Sequence, residues 1–297
     1  MTDSKYQKHL DDAANRVVVY YKNKWHKRDV PILKSFDHAS WLSGVVFDGA
    51  RYFNRTMPDI IAHMTRAIKS AKAVNLDPNI TSDELVELAK EGVKFFPKKA
   101  ELYIKPMFWC TKGIAIDNNP NDTHFSFSLA SIPLQPPGEL TACFTDRIKP
   151  LPLSDTVDAK ASCLYPNSGI AQRIARSLGF DDAIMLDILG NVCEFTSSNL
   201  FMIKDDTVYT PIPSQMFLSG VTRGRVITLC KDNEIRIIEK EISPEFLKEA
   251  DELFMTGNLN KVLPVTKLED NDLGIGPLST TIRDLYFDWA AKLPKIH

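Results

Sequence analysis

The sequence predicts a protein of mixed α/β and α+β class that is divided into two domains. At 297 residues the chain is long for a single hydrophobic core and comfortable for two. Residues 132–139 contain three prolines and one glycine, which is typical of a stiff connection. Downstream of this connection, predicted strands alternate with predicted helices. We therefore expect one domain over residues 1–133 and a second over residues 134–297.

The first domain is predicted to combine strands with amphipathic helices. Apolar residues recur at helical spacing after Pro58, and shorter apolar runs read as strands. Pro106 places its strand at a sheet edge or a bulge, because proline cannot donate to a ladder. The predicted helices cover residues 4–15, 59–76 and 82–94, and the predicted strands cover residues 17–21, 31–35 and 102–109.

The second domain is predicted to alternate between the two kinds of element and to end in a helix. Neither an internal repeat nor a low-complexity segment interrupts it. The predicted elements cover residues 143–148, 168–178, 183–187, 200–204, 222–232, 235–239, 244–250, 252–255 and 279–293.

Composition excludes several classes of function. A net charge of −2 without a run of basic residues argues against a nucleic-acid partner. No apolar run reaches the roughly 18 to 20 residues that span a bilayer, so we expect no membrane partner. The five cysteines lack CxxC spacing and the six histidines lack HxH or HxxxH pairs, so we expect reduced thiols, a cytoplasmic location and no metal site.

One lysine and one glutamate lie on neighbouring predicted elements in the middle of the chain. Lys160 precedes an amphipathic run, a buried strand follows over residues 183–186, and the next strand carries Glu194. Pyridoxal phosphate chemistry requires such a pair. The lysine amine forms a Schiff base with the cofactor aldehyde, and the carboxylate keeps the pyridine nitrogen protonated.

Several short motifs, in order along the chain, resemble those of a known enzyme family. They are HMTRAIKS at residues 63–70, KASCLY at 160–165, EFTSSN at 194–199, LSGVTR at 218–223 and MTGNL at 255–259. The match is nearly gap-free from Phe47 to Val265. It identifies the chain as similar to the fold-type IV pyridoxal phosphate enzymes, the class IV aminotransferases, and among them to the branched-chain aminotransferase family.

The resemblance implies catalytic roles for three residues. Lys160 would bind the cofactor aldehyde and, once displaced by substrate, would move a proton between substrate and cofactor. Glu194 would raise the pKa of the pyridine nitrogen, and Tyr165 would hydrogen-bond the phenolic oxygen. The family's lysine motif is K-x-G-G-N-Y. In KASCLY the glycines and the asparagine are missing, while lysine and tyrosine keep their spacing.

The resemblance also implies which residues hold the cofactor phosphate. LSGVTR opens a predicted helix, whose free N–H groups and positive end attract an anion. Arg66 would form an ion pair with the phosphate. Asn258 replaces a threonine of the family, so a hydroxyl contact becomes an amide contact. The remaining expected cofactor contacts are Leu218, Gly220, Val221, Thr222 and Thr256.

The residues expected to contact substrate depart further from the family. Residues 47–51 (FDGAR) are similar to F-E-G-I-R, and residues 103–106 (YIKP) are similar to Y-I-R-P with a lysine in place of the arginine. A lysine cannot offer the planar fork of arginine. We therefore expect a shifted substrate range. The expected substrate contacts are Phe47, Arg51, Tyr103, Lys105, Leu42 and Leu259.

The fold implied by the resemblance is the two-domain, D-amino-acid aminotransferase-like fold. Its smaller N-terminal domain is α+β, its larger C-terminal domain is α/β, and the cofactor lies between them. The family is built as homodimers. The aromatic, glycine-interrupted residues 40–53 are the candidate for such an interface.

The implied function is ping-pong transamination from an aliphatic, branched-chain-like L-amino acid to a 2-oxo acid such as 2-oxoglutarate. Other enzymes of the same fold share Lys160 and Glu194, and they include D-amino-acid transaminases, (R)-amine transaminases and aminodeoxychorismate lyase. The FDGAR and YIKP segments favour the branched-chain type. A protein that binds pyridoxal phosphate without turnover is the alternative from another class of function.

Overall fold

The computed structural model describes residues 16–151, 159–213 and 217–297. Within these residues the chain folds as two compact units. Unit 1 contains the described residues 16–134 together with Ala159–Cys163 and Ala290–His297. Unit 2 contains the described residues 135–151, 164–213 and 217–289. The helix predicted over residues 4–15 lies outside the described part of the chain.

Unit 1 is built on an antiparallel sheet with the strand order β2-β1-β6-β5-β3, in which β4 also pairs with β5. Three helices accompany it, α1 (His38–Leu42), α2 (Ile60–Ala73) and α3 (Ser82–Gly92). The strands are β1 (Val17–Tyr21), β2 (Lys24–His26), β3 (Val45–Phe47), β4 (Ala50–Tyr52), β5 (Leu102–Cys110) and β6 (Thr123–Ser131).

The break between β3 and β4 lies opposite the proline of β5. Both short strands pair along the same edge of β5, and the Asp48 backbone N–H donates to the Pro106 carbonyl at 3.1 Å. Proline has no N–H, so β5 cannot donate a hydrogen bond to β3 or β4 at Pro106. A break between β3 and β4 therefore loses the fewest hydrogen bonds at this point. The expectation of an edge strand or a bulge at Pro106 is therefore wrong, because β5 pairs on both sides without a shift in register; the proline instead lies opposite the break that leaves Asp48 and Gly49 outside both strands.

The two longer helices of unit 1, α2 and α3, form where the apolar spacing predicts them, whereas α1 was not predicted. α2 buries Met64, Ala67 and Ala71 on one face. α3 begins with a capping box, in which the Thr81 hydroxyl accepts from the Glu84 backbone N–H while the Glu84 carboxylate accepts from the Thr81 N–H. Such a box satisfies two N–H groups that the first turn leaves without partners.

The strand expected over residues 31–35 does not form. Instead, the Asp37 carboxylate accepts from the Lys34 backbone N–H at 2.8 Å, and the Asp37 N–H donates to the Lys34 carbonyl at 3.1 Å. An aspartate that bonds its own local backbone favours a turn over a ladder. Conversely, β6 was not predicted, although it pairs with β5 over the full length of both strands.

Unit 2 is built on a mixed ten-stranded sheet. Its main path is β12-β11-β10-β9-β8-β7-β15-β16, and β13 joins β10 to β14. The β7–β8, β11–β12 and β7–β15 pairs are parallel. The strands are β7 (Thr141–Ile148), β8 (Asp182–Leu186), β9 (Val192–Phe195), β10 (Asn199–Lys204), β11 (Thr207–Pro211), β12 (Ile237–Lys240), β13 (Glu252–Gly257), β14 (Lys261–Val265), β15 (Lys267–Leu268) and β16 (Asn271–Asp272).

The helices of unit 2 are α4 (Tyr165–Ser177), α5 (Val221–Asp232), α6 (Pro244–Lys248) and α7 (Pro277–Ala291). Each lies within a few residues of its predicted position. α4 packs Ala171 and Ala175 against Ala183 and Met185 of β8. Strands β9, β10, β13 and β14 are almost wholly buried, so apolar residues predominate on both of their faces.

A boundary at residue 133 would assign two segments to the second domain that instead belong to unit 1. Ala159–Cys163 and Ala290–His297 follow that boundary in sequence but belong to unit 1. The first segment is bound to β3, since the Phe47 N–H donates to the Lys160 carbonyl. The second is bound near Arg55, whose carbonyl accepts from the Ile296 N–H and whose Nε donates to the His297 carbonyl. These long-range bonds have no signal in local composition.

Three expectations from the composition concern membrane-spanning helices, metal sites and disulfides, and the described residues bear on each. No helix among them is long and apolar enough to cross a membrane. They also contain no cluster of histidine, cysteine, aspartate and glutamate that could hold a metal ion. The five cysteines all lie within the described ranges, and none of them forms a disulfide. Burial raises the pKa of Cys193, close to Glu194 in sequence, to about 12, so this thiol packs as a protonated, unreactive side chain.

Candidate active site

Lys160 is held by its main chain on both sides. Its carbonyl accepts from the Phe47 N–H at 3.1 Å, and its N–H donates to the buried Ser70 hydroxyl at 3.0 Å. The neighbouring Ala161 forms a bridge with Val46 of β3. These bonds fix the backbone, and they position the Lys160 ammonium 5.3 Å from the centre of the Phe47 ring.

The strand break places a fully buried carboxylate against α2. Asp48 accepts from Arg66 Nε at 2.7 Å and from Arg66 Nη2 at 2.9 Å, and His63 Nδ1 lies 2.9 Å from its Oδ1. Burial alone would raise the pKa of Asp48, but Arg66 and His63 hold it well below its ordinary value. Asp48 therefore stays ionised.

The HxxRxxxS pattern of α2 thus has a structural meaning within unit 1. His63, Arg66 and Ser70 recur at helical spacing, and they bind Asp48 and the Lys160 main chain. Two N–H groups of the Arg66 guanidinium are committed to Asp48. Asp48 was not singled out from the sequence, although an acid in the FDGAR segment was the available signal.

Four of the residues expected to contact substrate lie on one face of the sheet in unit 1. Tyr103 and Lys105 are two apart on β5, Arg51 is the register partner of Tyr103, and Phe47 is the partner of Met107 on the same face. Lys105 is exposed, whereas Arg51 is fully buried and donates from Nη2 to the Ile132 carbonyl at 2.5 Å. Leu42 lies half-buried at the end of α1.

The EFTSSN segment of unit 2 is a tight turn that sets Glu194 opposite Asn199. Glu194 lies near the end of β9, Asn199 opens β10, and the two are register partners. Asn199 Nδ2 donates to Glu194 Oε2 at 3.0 Å. Both side chains are buried, so the spacing of the glutamate and the asparagine in sequence produces a direct contact in the fold.

Lys149 forms an ion pair with Glu194 that was not predicted from the sequence. Its Nζ lies 2.6 Å from Glu194 Oε1, and the two side chains are only 12% and 8% exposed. Burial by itself would lower the pKa of Lys149, but the charge of the Glu194 carboxylate and its hydrogen bond to Nζ raise the pKa above the ordinary value. Lys149 therefore stays charged. Nothing in the local sequence distinguishes it from a surface lysine.

Asn199 connects the acid to the turn before α5. The same Nδ2 that bonds Glu194 also donates to the Leu218 carbonyl at 3.0 Å. Gly220, the residue that caps α5, lies so close that a Cβ added there would be 2.0 Å from Asn199 Oδ1. Only glycine fits this position. Val221 and Thr222 then open α5, whose first N–H groups have no partner within the helix.

Buried polar atoms without partners lie at the end of β13. Thr256 is the register partner of Asn199, and its Oγ1 is buried without a hydrogen-bond partner. Asn258 Nδ2 is also buried without a partner, whereas Asn258 Oδ1 accepts from Lys261 Nζ at 2.7 Å. Unsatisfied buried donors are costly. A hydroxyl, an amide N–H and a helix N-terminus therefore fit an anionic group such as a phosphate.

The two remaining predicted residues of unit 2 are Tyr165 and Leu259. Tyr165 is the first residue of α4, and the residue is 36% exposed. Leu259 lies half-buried in the three-residue connection between β13 and β14.

Comparison with known proteins identifies the family. Residues 45–268 match the family of class IV amino-transferases. The chain belongs to this family. The predicted family, the fold class and the assignment as an aminotransferase are therefore confirmed.

The similar proteins come from bacteria and archaea. A probable branched-chain-amino-acid aminotransferase of Rickettsia felis is 31% identical over 245 residues, which cover 80% of this chain and 81% of that protein. The crystal structure of an aminotransferase from Brucella abortus, bound to the cofactor pyridoxal phosphate, is 39% identical with a TM-score of 0.91 over 92% of this chain and 99% of that one. A branched-chain aminotransferase of Thermoproteus uzoniensis, determined with norvaline, is 28% identical with a TM-score of 0.85 over 92% and 94%.

We expect Lys149→Met to destabilise the protein by about 3 kcal/mol, because it leaves the buried Glu194 charge without its cation. The double variant Lys149→Met/Glu194→Gln should recover much of this loss, since it removes both charges. Urea unfolding of the cofactor-free protein measures both effects.

Lys204→Met is the matched control, because Lys204 lies at the same 2.6 Å from its partner Glu249 but on the surface. We expect it to change the free energy of unfolding little. Equal losses for the Lys149 and Lys204 variants would contradict the assignment of Lys149 to a buried ion pair.

Proposed function

We propose that this aminotransferase uses pyridoxal phosphate to move the amino group of an aliphatic, branched-chain-like L-amino acid to a 2-oxo acid such as 2-oxoglutarate. The observation that carries the proposal is the arrangement around Asn199 in unit 2. There, one side chain bonds both a buried glutamate and the turn before α5, and buried donors without partners lie at the end of the adjoining strand β13. The names of the similar proteins support the choice of substrate class.

The buried donors of unit 2 match the phosphate of the cofactor. The turn of Leu218 and Gly220 and the first residues of α5, Val221 and Thr222, offer backbone N–H groups to it. Thr256 Oγ1 and Asn258 Nδ2 offer side-chain donors. Arg66, already bonded to Asp48 in unit 1, is assigned to the phosphate on the family pattern alone.

The Glu194 carboxylate is assigned to the pyridine nitrogen. Lys149 and Asn199 each occupy one of its oxygens and hold it ionised in a buried position. A fixed negative charge favours the protonated ring nitrogen. When bound, pyridoxal phosphate supplies an aldehyde that accepts amines and a ring that spreads the charge left on the substrate α-carbon. Tyr165 is assigned as the hydrogen-bond partner of the ring's phenolic oxygen.

Lys160 is assigned as the amine that anchors the aldehyde and as the base of the reaction. Once the amino donor has released it, Lys160 Nζ would take the proton from the donor's α-carbon and deliver it to the carbon of the cofactor's former aldehyde group. The bonds from Phe47 and Ser70 to its main chain orient the lysine, so that only the side chain has to move.

The substrate is assigned to the face of the unit 1 sheet that carries Phe47, Tyr103 and Lys105. An aromatic ring and a phenol offer apolar surface to an aliphatic side chain, and the exposed ammonium of Lys105 offers a single positive charge to a carboxylate. Leu42 and Leu259 are assigned as further apolar contacts. Arg51 is assigned to the same face through its register with Tyr103.

The absorption spectrum of the protein saturated with pyridoxal phosphate tests this function. We expect a visible band that depends on the lysine and that L-isoleucine converts into the spectrum of the pyridoxamine form. Lys160→Ala should lose the band and slow the conversion by roughly 10² to 10⁴-fold, the usual contribution of a positioned base. Lys72→Ala, an exposed lysine on α2, is the control and should behave as the natural protein.

Three results separate the parts of the proposal. Conversion by Lys160→Ala at the natural rate would contradict the role of Lys160. A band that L-isoleucine leaves unchanged, but that D-alanine or a chiral amine converts, would overturn the substrate class alone. A band that no donor converts would indicate binding without turnover.

We also propose that the protein works as a homodimer in the cytoplasm, where its thiols would stay reduced. Of the expected interface at residues 40–53, the strands β3 and β4 are largely buried within unit 1. The exposed apolar surface lies beside them, where Phe36 and Trp41 stack at 6.0 Å while 77% and 50% exposed. Such a pair in water favours a protein partner.

Sedimentation equilibrium checks the dimer. We expect a twofold mass for the natural protein and a shift toward the monomer for Phe36→Ser/Trp41→Ser, because the variant removes apolar area from the proposed contact. A monomeric natural protein, or a variant that dimerises unchanged, would contradict this surface as the interface.

A further inference from the structure

Lys261 is a lysine whose side chain is buried inside unit 2. It opens β14 with 1% of its surface exposed, among the most buried large side chains of the described residues. Lysine is almost never fully buried unless its ammonium has a partner. Here the Nζ donates to Asn258 Oδ1 at 2.7 Å, across the three-residue connection between β13 and β14.

This bond decides which way the Asn258 amide faces. An ammonium can only donate, so the amide oxygen must be the atom turned toward Lys261. The Nδ2 group is therefore turned away from it, and this group is buried without a hydrogen-bond partner. A buried donor kept without a partner costs stability, which is expected where a ligand supplies the acceptor.

The donor lies in the same neighbourhood as the turn that precedes α5. A Cβ added to Gly257, next to Asn258, would lie 2.8 Å from the Ser198 hydroxyl. Ser198 is followed by Asn199, which bonds the Leu218 carbonyl and packs on Gly220. Thr256 Oγ1, also without a partner, belongs to the register partner of Asn199. Two independent buried donors therefore accompany the N-terminus of α5.

We propose that Lys261 is a positioning residue for the cofactor phosphate, which turns the N–H group of Asn258 toward the anion and adds a buried positive charge behind it. This inference rests on the proposed function, in that it requires a phosphate-bearing cofactor in unit 2. It assigns to Lys261 a role in recognising the phosphate rather than the ring.

An asparagine at position 258 needs such a partner. A hydroxyl can rotate to donate to an anion, whereas an amide can present either its oxygen, which repels phosphate, or its nitrogen, which binds it. Lys261 removes this ambiguity, because a reversed amide would turn the Asn258 N–H group toward the Lys261 ammonium and two donors would then face each other. The positive charge also attracts the phosphate dianion, and charge-assisted bonds are the stronger ones.

Binding of two ligands that differ only in the phosphate tests the proposal. The cofactor-free protein is titrated with pyridoxal phosphate and with pyridoxal, followed by absorbance. We expect Lys261→Met to weaken binding of pyridoxal phosphate about tenfold to a hundredfold, the range for a lost bond to a charged group, and to leave pyridoxal nearly unchanged. Inorganic phosphate should compete with pyridoxal phosphate less well in the variant than in the natural protein.

A second pair of variants keeps the test decisive if Lys261→Met does not fold. Asn258→Asp retains the bond to Lys261 but replaces the donor by a carboxylate oxygen, so it should lose affinity for pyridoxal phosphate and not for pyridoxal. Lys261→Arg keeps the charge and should recover part of the affinity lost in Lys261→Met. The control is Lys267→Met, in which a half-buried strand lysine that pairs with Asp272 is removed; it should bind both ligands as the natural protein does.

The outcomes separate this inference from the proposed function. Equal affinities of the natural protein for pyridoxal phosphate and pyridoxal would contradict phosphate recognition, and with it the proposed function. If the natural protein prefers pyridoxal phosphate and Lys261→Met keeps this preference, the role of Lys261 alone would be overturned. Where Lys261→Met does not fold, the same preference kept by Asn258→Asp would have the same meaning. Equal loss of both ligands in Lys261→Met would reduce Lys261 to a structural residue.

Discussion

The amide of Asn199 is the contact on which the arrangement of unit 2 depends. Its amide nitrogen donates to a carboxylate oxygen of Glu194 and to the Leu218 carbonyl. Its amide oxygen packs against Gly220, where it occupies the space that a Cβ would need. A hydrophobic residue could fill the same volume but could not donate to both. One buried side chain thereby links the acid assigned to the ring nitrogen with the turn assigned to the phosphate.

Several of the buried charges in the described part of the chain lie among or beside the residues assigned to the reaction. Asp48 is bonded to Arg66 and His63, Glu194 to Lys149, and Lys261 to the amide of Asn258. Burying a charge is costly unless it is paired, so such residues are rarely kept for stability alone. By contrast, pairs such as Lys204 with Glu249 lie at the surface, where solvent screens them. The distinction lies in burial rather than in distance.

The sequence predicts those residues whose neighbours are local or whose pattern is shared with the family. The spacing of Glu194 and Asn199 predicts a contact because a tight turn brings the two together. The same holds for the helical face of His63, Arg66 and Ser70. Fold class, family and aminotransfer chemistry could thus be predicted from the amino-acid sequence alone.

The partners of these residues could not be predicted, because they meet through tertiary contacts. Lys149 is 45 residues from Glu194 in sequence, and nothing around it marks a buried lysine. Lys261 follows a short polar connection and reads as a surface residue until its burial is known. The strand expected over residues 31–35 failed for a local reason, since the Asp37 side chain competes for the backbone. The segment containing Lys160 joins unit 1 through β3 and Ser70, which composition cannot reveal.

The central claim is that one asparagine couples the acid to the phosphate turn, and calorimetric titration of Asn199→Leu tests it most directly. Because both ends depend on this amide, the variant should bind pyridoxal phosphate and pyridoxal each about tenfold or more weakly than the natural protein. Asn233→Leu is the matched control, since its Nδ2 donates to the Leu229 carbonyl at the far end of α5. Unchanged affinity for both ligands in Asn199→Leu, or a loss no larger than in Asn233→Leu, would contradict the coupling.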